Sequence, residues 1–249
     1  MTLNKPRLAI RRDLVKIVLL AGLVLLFLCI INRRRWPKED DFRPEVFQEP
    51  VQKSSANPRP FDVAQKGYTY TVYPQFGYEL WGMVVSSHYA GSFLDIAHEA
   101  WKDYLNIKDL CVIWGRNLET DAFREIKFWN RDFTCYFSWT KPEAGELFSR
   151  SHVSNNHLIT ADALLRRTIK SVKRGDQVHF RGWLANYGHK GSSNVRGTST
   201  TRDDTGGRAC ETVYVTEFDV LKRANAGWRA AFPVSLAVIG ICAVLLFLL

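Results

Sequence analysis

GDQVHFRGWLANY, residues 175 to 187, opens with a Gly-Asp pair suited to a tight turn and continues as a strand. Val178, Phe180 and the Trp183/Leu184 pair face one way along it. Gly182 falls inside the strand, where a missing Cβ lets a sheet bend or another backbone approach closely. A strand that bends in this way belongs to a curled sheet.

The neighbouring sequence extends that reading. Upstream, Ala161 to Lys173 has helical spacing, with Leu164, Leu165, Thr168, Ile169 and Val172 on one side and Arg166, Arg167, Lys170 and Lys173 on a solvated side. Downstream, a Gly/Ser-rich loop and the stretch STTRDDTGGRACETVYV, residues 199 to 215, lead into a last strand, Thr212 to Leu221. YTYTVY (Tyr68 to Tyr73) and YELWGMVVS (Tyr78 to Ser86), separated by Pro74 and Gly77, read as a hairpin. Ser92 to Leu105 has the spacing of a short amphipathic helix, and strands are expected near Leu110 to Trp114 and Phe133 to Trp139. The expected fold is α+β: a small, partly closed antiparallel β-barrel with two short helices.

GDQVHFRGWL resembles a strand pair of OB-fold barrels, in which a Gly-Asp turn starts a strand that bends at a later glycine. With KDLCVIWGRN, SNNHLI and RDDTGGRACE, the chain is similar to bacterial membrane-anchored proteins of unassigned function. That resemblance implies an OB-like barrel and a bacterial inner-membrane location, and it carries no activity with it.

Both ends of the chain are apolar. Ile17 to Ile31 is uncharged, and Ala230 to Leu249 is a run of twenty residues without a charge. Each is long enough to cross a bilayer, and no small-x-small cleavage site precedes the basic run after the first. The organisation read from the sequence is a basic tail (1–13), a transmembrane helix (14–32), a Pro-rich linker (33–66), the α+β domain (67–223) and a C-terminal transmembrane helix (230–249).

The formal net charge is +9, yet Trp36 to Trp228 holds 25 Lys and Arg against 24 Asp and Glu, a balance of +1. The excess flanks the apolar segments, where basic side chains reach lipid headgroups. The expected partners are the lipid bilayer and a membrane or envelope protein; a nearly neutral domain argues against a nucleic-acid partner. Charge around the first span is nearly balanced, and Lys222, Arg223 and Arg229 precede the second. Translocating a short tail with four basic residues is harder than translocating a domain, so the domain is expected outside the cytoplasm, with a cytoplasmic domain as the alternative.

Cys111 and Cys135 each sit in a strand-like run and are a candidate disulfide, the alternative being two small buried hydrophobes. Cys210 begins the last strand. No spacing of Cys or His suggests a metal site, and no phosphate loop, HExxH or GxSxG is present, so no metal or cofactor is expected. Two polar constellations remain. Arg202, Asp203 and Asp204 can order a turn, or Arg202 can grip an anion with Asp203 or Asp204 as a base and Cys210 as a nucleophile. SRSHVSNNHLI, residues 149 to 159, offers His152 and His157 as bases and Asn155 and Asn156 as ligand-binding amides, or supplies turn and cap residues. The favoured function is a non-catalytic, membrane-anchored binding domain. The alternatives are a membrane-bound hydrolase or thiol-dependent enzyme, and a structural subunit of a membrane complex.

Overall fold

The computed structural model describes residues 5–54, 59–91, 99–131, 133–201 and 210–249, with side chains from residue 11 onward. The chain divides into two compact units, Met1–Pro37 with Ala224–Leu249, and Lys38–Arg223.

In the first unit, α1 (Lys5–Asn32) pairs with the C-terminal helix α5 (Ala226–Leu248). They run antiparallel: the Arg33 guanidinium lies 3.7 Å from the centre of the Phe232 ring, and Gly22 faces Ile239. Cys29, Ser235 and Cys242 are buried, whereas Leu14, Ile17, Leu20, Phe27, Ile241, Val244 and Phe247 point outward. Both helices are long and apolar enough to cross a membrane.

The second unit is α+β, with a mixed sheet of seven strands and a separate hairpin. Its strands are β1 (Val51–Ser54), β2 (Phe61–Gln65), β3 (Tyr68–Tyr89), β4 (Asn106–Ile113), β5 (Ile126–Arg131), β6 (Thr134–Trp139), β7 (Val153–Ile159), β8 (Gln177–His189) and β9 (Cys210–Lys222). Its helices, among the described residues, are α2 (Arg116–Glu119), α3 (Pro142–Leu147) and α4 (Ala163–Ser171). β3 pairs antiparallel with β4 and with β8, β4 with β7, and β8 with β9, while β7 and β9 run parallel. The pairing therefore returns to its start through β3, β4, β7, β9 and β8. The expectation of an antiparallel sheet is corrected at β7 and β9: α4 and β8 intervene between them, a connection long enough to bring the chain back in the same direction.

Two glycines permit the bending. A Cβ on Gly182 would run into Tyr214 O, at the register shift between Arg181 and Gly182. A Cβ on Gly82 would lie 2.5 Å from Val112 Cγ1 and 2.6 Å from Ile113 O. The turn before β8 forms as its sequence suggests, with Gly175 at φ 86°. Inside the sheet, Leu80, Val84, Leu110, Val112, Leu158, Val178, Phe180, Val213 and Val215 form the core, closed by Ile169 and Val172 at the end of α4. Asp162 caps α4 by accepting from Leu164 N and Leu165 N, both at 2.8 Å.

Three local expectations give way. The hairpin expected at Tyr68–Ser86 is one 22-residue strand, because a register shift at Pro74/Phe76 absorbs the missing proline N–H without a turn. The linker expected at 33–66 is largely folded onto the domain: Arg43 N donates to Gln177 Oε1 (2.7 Å), Val46 is fully buried, and β1 and β2 pair with β3. The expected helix at 92–105 lies partly outside the described residues; Glu99 and Ala100 are helical, but Trp101–Leu105 is not. There the Tyr70 hydroxyl donates to Lys102 O and accepts from Tyr104 N, holding the backbone in a turn.

Candidate functional site

Alternation sends Leu110, Val112, Leu158, Val213 and Val215 into the core, so the opposite face of the same strands carries Asp109, Cys111, Asn155, His157, Cys210 and Thr212. Register sets them in rows: Cys111 opposite Asn155 and Asn155 opposite Cys210; Asp109 opposite His157 and His157 opposite Thr212. The β5–β6 hairpin covers this face and is bonded to it by the Cys111–Cys135 disulfide, with Cα atoms 5.7 Å apart. Asn130 on the hairpin accepts from Ser86 and donates to Asn155 Oδ1 (2.8 Å), and Asn155 donates to Phe133 O (2.8 Å). Asp109, Cys111, Asn155, His157 and Thr212 are buried, and Ser86, Asn130 and Cys210 are partly buried.

At the centre is a charged network. His157 and Asp109 are 2.6 Å apart through Nδ1 and Oδ1, and Asn106 Nδ2 donates to the same oxygen at 3.0 Å. Burial alone would raise the Asp109 carboxyl, but His157, the Arg196 guanidinium and Asn106 outweigh it and hold it at about 2. Burial lowers His157 below its ordinary value, against the pull of Asp109, so the imidazole is neutral with Nδ1–H donating to the carboxylate. Arg196 Nη2 lies against the ring, 2.9 Å from Nε2 and 3.0 Å from Nδ1. Arg196 also lies over the Phe133 ring (4.3 Å) and reaches Asp103 Oδ2 (3.4 Å). Tyr187 Oη donates to Asp103 at 2.7 and 2.8 Å; burial, then the Asp103 charge, raises its phenol well above the ordinary range.

Above this floor opens a cleft with about 310 Å³ of unfilled space, part of it open to solvent, bounded by Trp101, Asp103, Tyr187, His189, Asn194 and Arg196. Its walls come from the connection between β3 and β4 and from the end of β8 with the loop that follows. Trp101 is half exposed and stacks one face on Phe133, with centroids 5.7 Å apart.

The structure treats the sequence candidates differently. Arg202, Asp203 and Asp204 lie outside the described residues. Cys210 is beside the network, donating to Phe133 O (3.3 Å), and burial with the Glu211 and Asp109 carboxylates pushes its thiol up to about 11, far from a nucleophilic thiolate. Asn155 bridges the hairpin and Cys210, whereas Asn156 is buried with its amide donating to Ser154 Oγ at 2.7 Å. His157 joins the network; His152 does not. It sits at the end of a short turn, with Nδ1 2.7 Å from Ser149 Oγ and Nε2 2.8 Å from Glu49 Oε1. Glu49 in turn accepts from Trp114 Nε1 at 3.0 Å. Among the described residues, no three of His, Cys, Asp and Glu group as metal ligands.

Sequence reasoning missed Asp103, Asp109, Arg196 and Trp101. Asp109 carried a usable signal, a carboxylate within a strand otherwise rich in apolar residues; Arg196, alone in a polar loop, carried none. The chain matches no protein-family model, no curated protein and no solved structure.

Proposed function

We propose that the protein is a membrane-anchored binding module. The five strands that pair in a ring form an OB-like barrel, and a ligand or partner docks in the cleft between the β3–β4 and β8–β9 connections, where barrels of this kind bind. The observation that carries the reading is the cleft itself, an open, half-aromatic hollow over a buried network whose groups hold one another in place. Such a floor presents fixed hydrogen-bonding groups: His157 is buried, bonded to Asp109 and covered by Arg196.

The two apolar helices anchor the chain in the bilayer with the domain outside the cytoplasm. The Cys111–Cys135 disulfide supports that side, because such bonds persist in oxidising compartments. Treating spheroplasts with a membrane-impermeant thiol reagent in mild denaturant tests it. Labelling of Cys111 and Cys135 only after reduction is expected, and labelling that requires lysis overturns the orientation. Docking is tested by hydrogen exchange of the full chain in native membranes against the purified chain in nanodiscs. Slower exchange over Gly188–Arg196 in membranes is expected, and equal exchange overturns it.

A second reading rests on Ser149, His152 and Glu49, whose contacts have the order nucleophile, base, carboxylate found in hydrolases. A fluorophosphonate probe tests it: labelling that disappears in Ser149→Ala supports a membrane-bound hydrolase, and an unlabelled protein removes it.

A further inference from the structure

Resting on the binding-module reading, we propose that the cleft takes a neutral carbohydrate, with one sugar ring stacked on Trp101. Three observations select this ligand. The indole has one face on Phe133 and half of its surface open, which leaves a single flat apolar platform at the mouth of the cleft. The other aromatic rings of the cleft, Tyr70 and Tyr187, are almost wholly buried. One open ring face suits the C–H face of a pyranose, whereas an ammonium cage needs several.

The second observation is charge. Among the described residues that line the cleft, the charges are one carboxylate, Asp103, and one guanidinium, Arg196, 3.4 Å apart, with the Arg166 guanidinium also interacting with Asp103. The lysines of the adjoining loops are paired as well, Lys102 with Glu99 and Lys190 with Asp62. A site whose charges face each other in this way favours a neutral ligand. The third is the mixture of polar groups around the platform. The Asn194 amide and the His189 ring combine donors and acceptors. Hydroxyl groups need both kinds of partner.

The test uses the full chain in nanodiscs of phosphatidylethanolamine and phosphatidylglycerol, which carry no sugar headgroup. Calorimetric titration and saturation-transfer NMR are run with chitotriose, maltotriose and cellotriose, and with inorganic phosphate and tetramethylammonium. At least one trisaccharide is expected to bind, with Trp101→Ala and Asn194→Ala each weakening it by about tenfold or more and Arg167→Ala on the exposed side of α4 leaving it unchanged. Thermal unfolding of each variant verifies that it is folded. Trisaccharide binding that ignores Trp101→Ala and Asn194→Ala overturns the proposal. Phosphate or tetramethylammonium binding that these variants abolish, with no saccharide bound, also overturns it but leaves the cleft a binding site. If no probe binds, the carbohydrate proposal falls; if hydrogen exchange over Gly188–Arg196 is also equal in membranes and nanodiscs, the binding-module reading falls with it.

Discussion

Cys135→Ala isolates what the disulfide contributes. The bond closes a loop between residues 24 apart, and the chain-entropy relation for a loop of that length gives about 3.5 kcal/mol at 25 °C. Cys135 is the better side to change. Cys111 is fully buried, so truncating it would add a cavity to the entropy loss, whereas Cys135 is only partly buried and its removal leaves Cys111 filling its own space. The hairpin keeps its Asn130–Asn155 and Ser86–Asn130 bonds, so the native state should retain its shape while the unfolded chain gains freedom. Urea unfolding of the full chain in nanodiscs, followed by tryptophan fluorescence, reads the change. With a slope of about 3 kcal/mol/M, the midpoint should fall by about 1 M. Wild-type protein in reductant should unfold with the variant. Coincident transitions for the oxidised wild type and the variant would refute the reasoning.

Other outcomes follow from the same geometry. Gly82→Ala should destabilise the domain by several kcal/mol, because its Cβ meets Val112 and Ile113 O, while Gly77→Ala in the same strand, with contacts no closer than 3.7 Å, should cost about 1 kcal/mol or less; urea midpoints distinguish them. Arg196→Met should cost about 3–5 kcal/mol, since it leaves Asp103 and Asp109 buried without their shared cation. Stability should fall on acidification in two stages. His157 has a folded value below its ordinary 6.5, so the unfolded chain takes up protons first and stability declines as pH drops below about 6.5. Asp109, depressed from 3.8 to about 2, contributes stability that is complete above about pH 4 and lost toward pH 2, on the order of 2 kcal/mol. His157→Gln should flatten the upper stage in unfolding curves taken between pH 7 and 5. Cys210 should resist iodoacetamide at pH 8 until the domain is denatured, as a buried thiol near pKa 11 must.

What the sequence determined about this protein is what depends on near neighbours. Two uncharged runs fix the apolar helices, because a segment of that length with no polar face has one low-energy solution on its own. The alternation in β8, the bend at Gly182 and the helix at Ala163–Ser171 were likewise legible, since side-chain period and a missing Cβ are local properties. Cys111 and Cys135 could be named as a pair but not distinguished from buried thiols. Only the tertiary structure decided that β7 and β9 run parallel, that residues 38–54 fold onto the domain, and that Asp109, His157, Arg196 and Asp103 meet. These four come from β4, β7, the loop after β8 and the turn before β4, and their meeting depends on strand register. A one-residue slip would send Asp109 and His157 into the apolar core and Leu110 and Leu158 outward. Register is set by the sum of core contacts across the whole sheet, and no short stretch of sequence contains that sum.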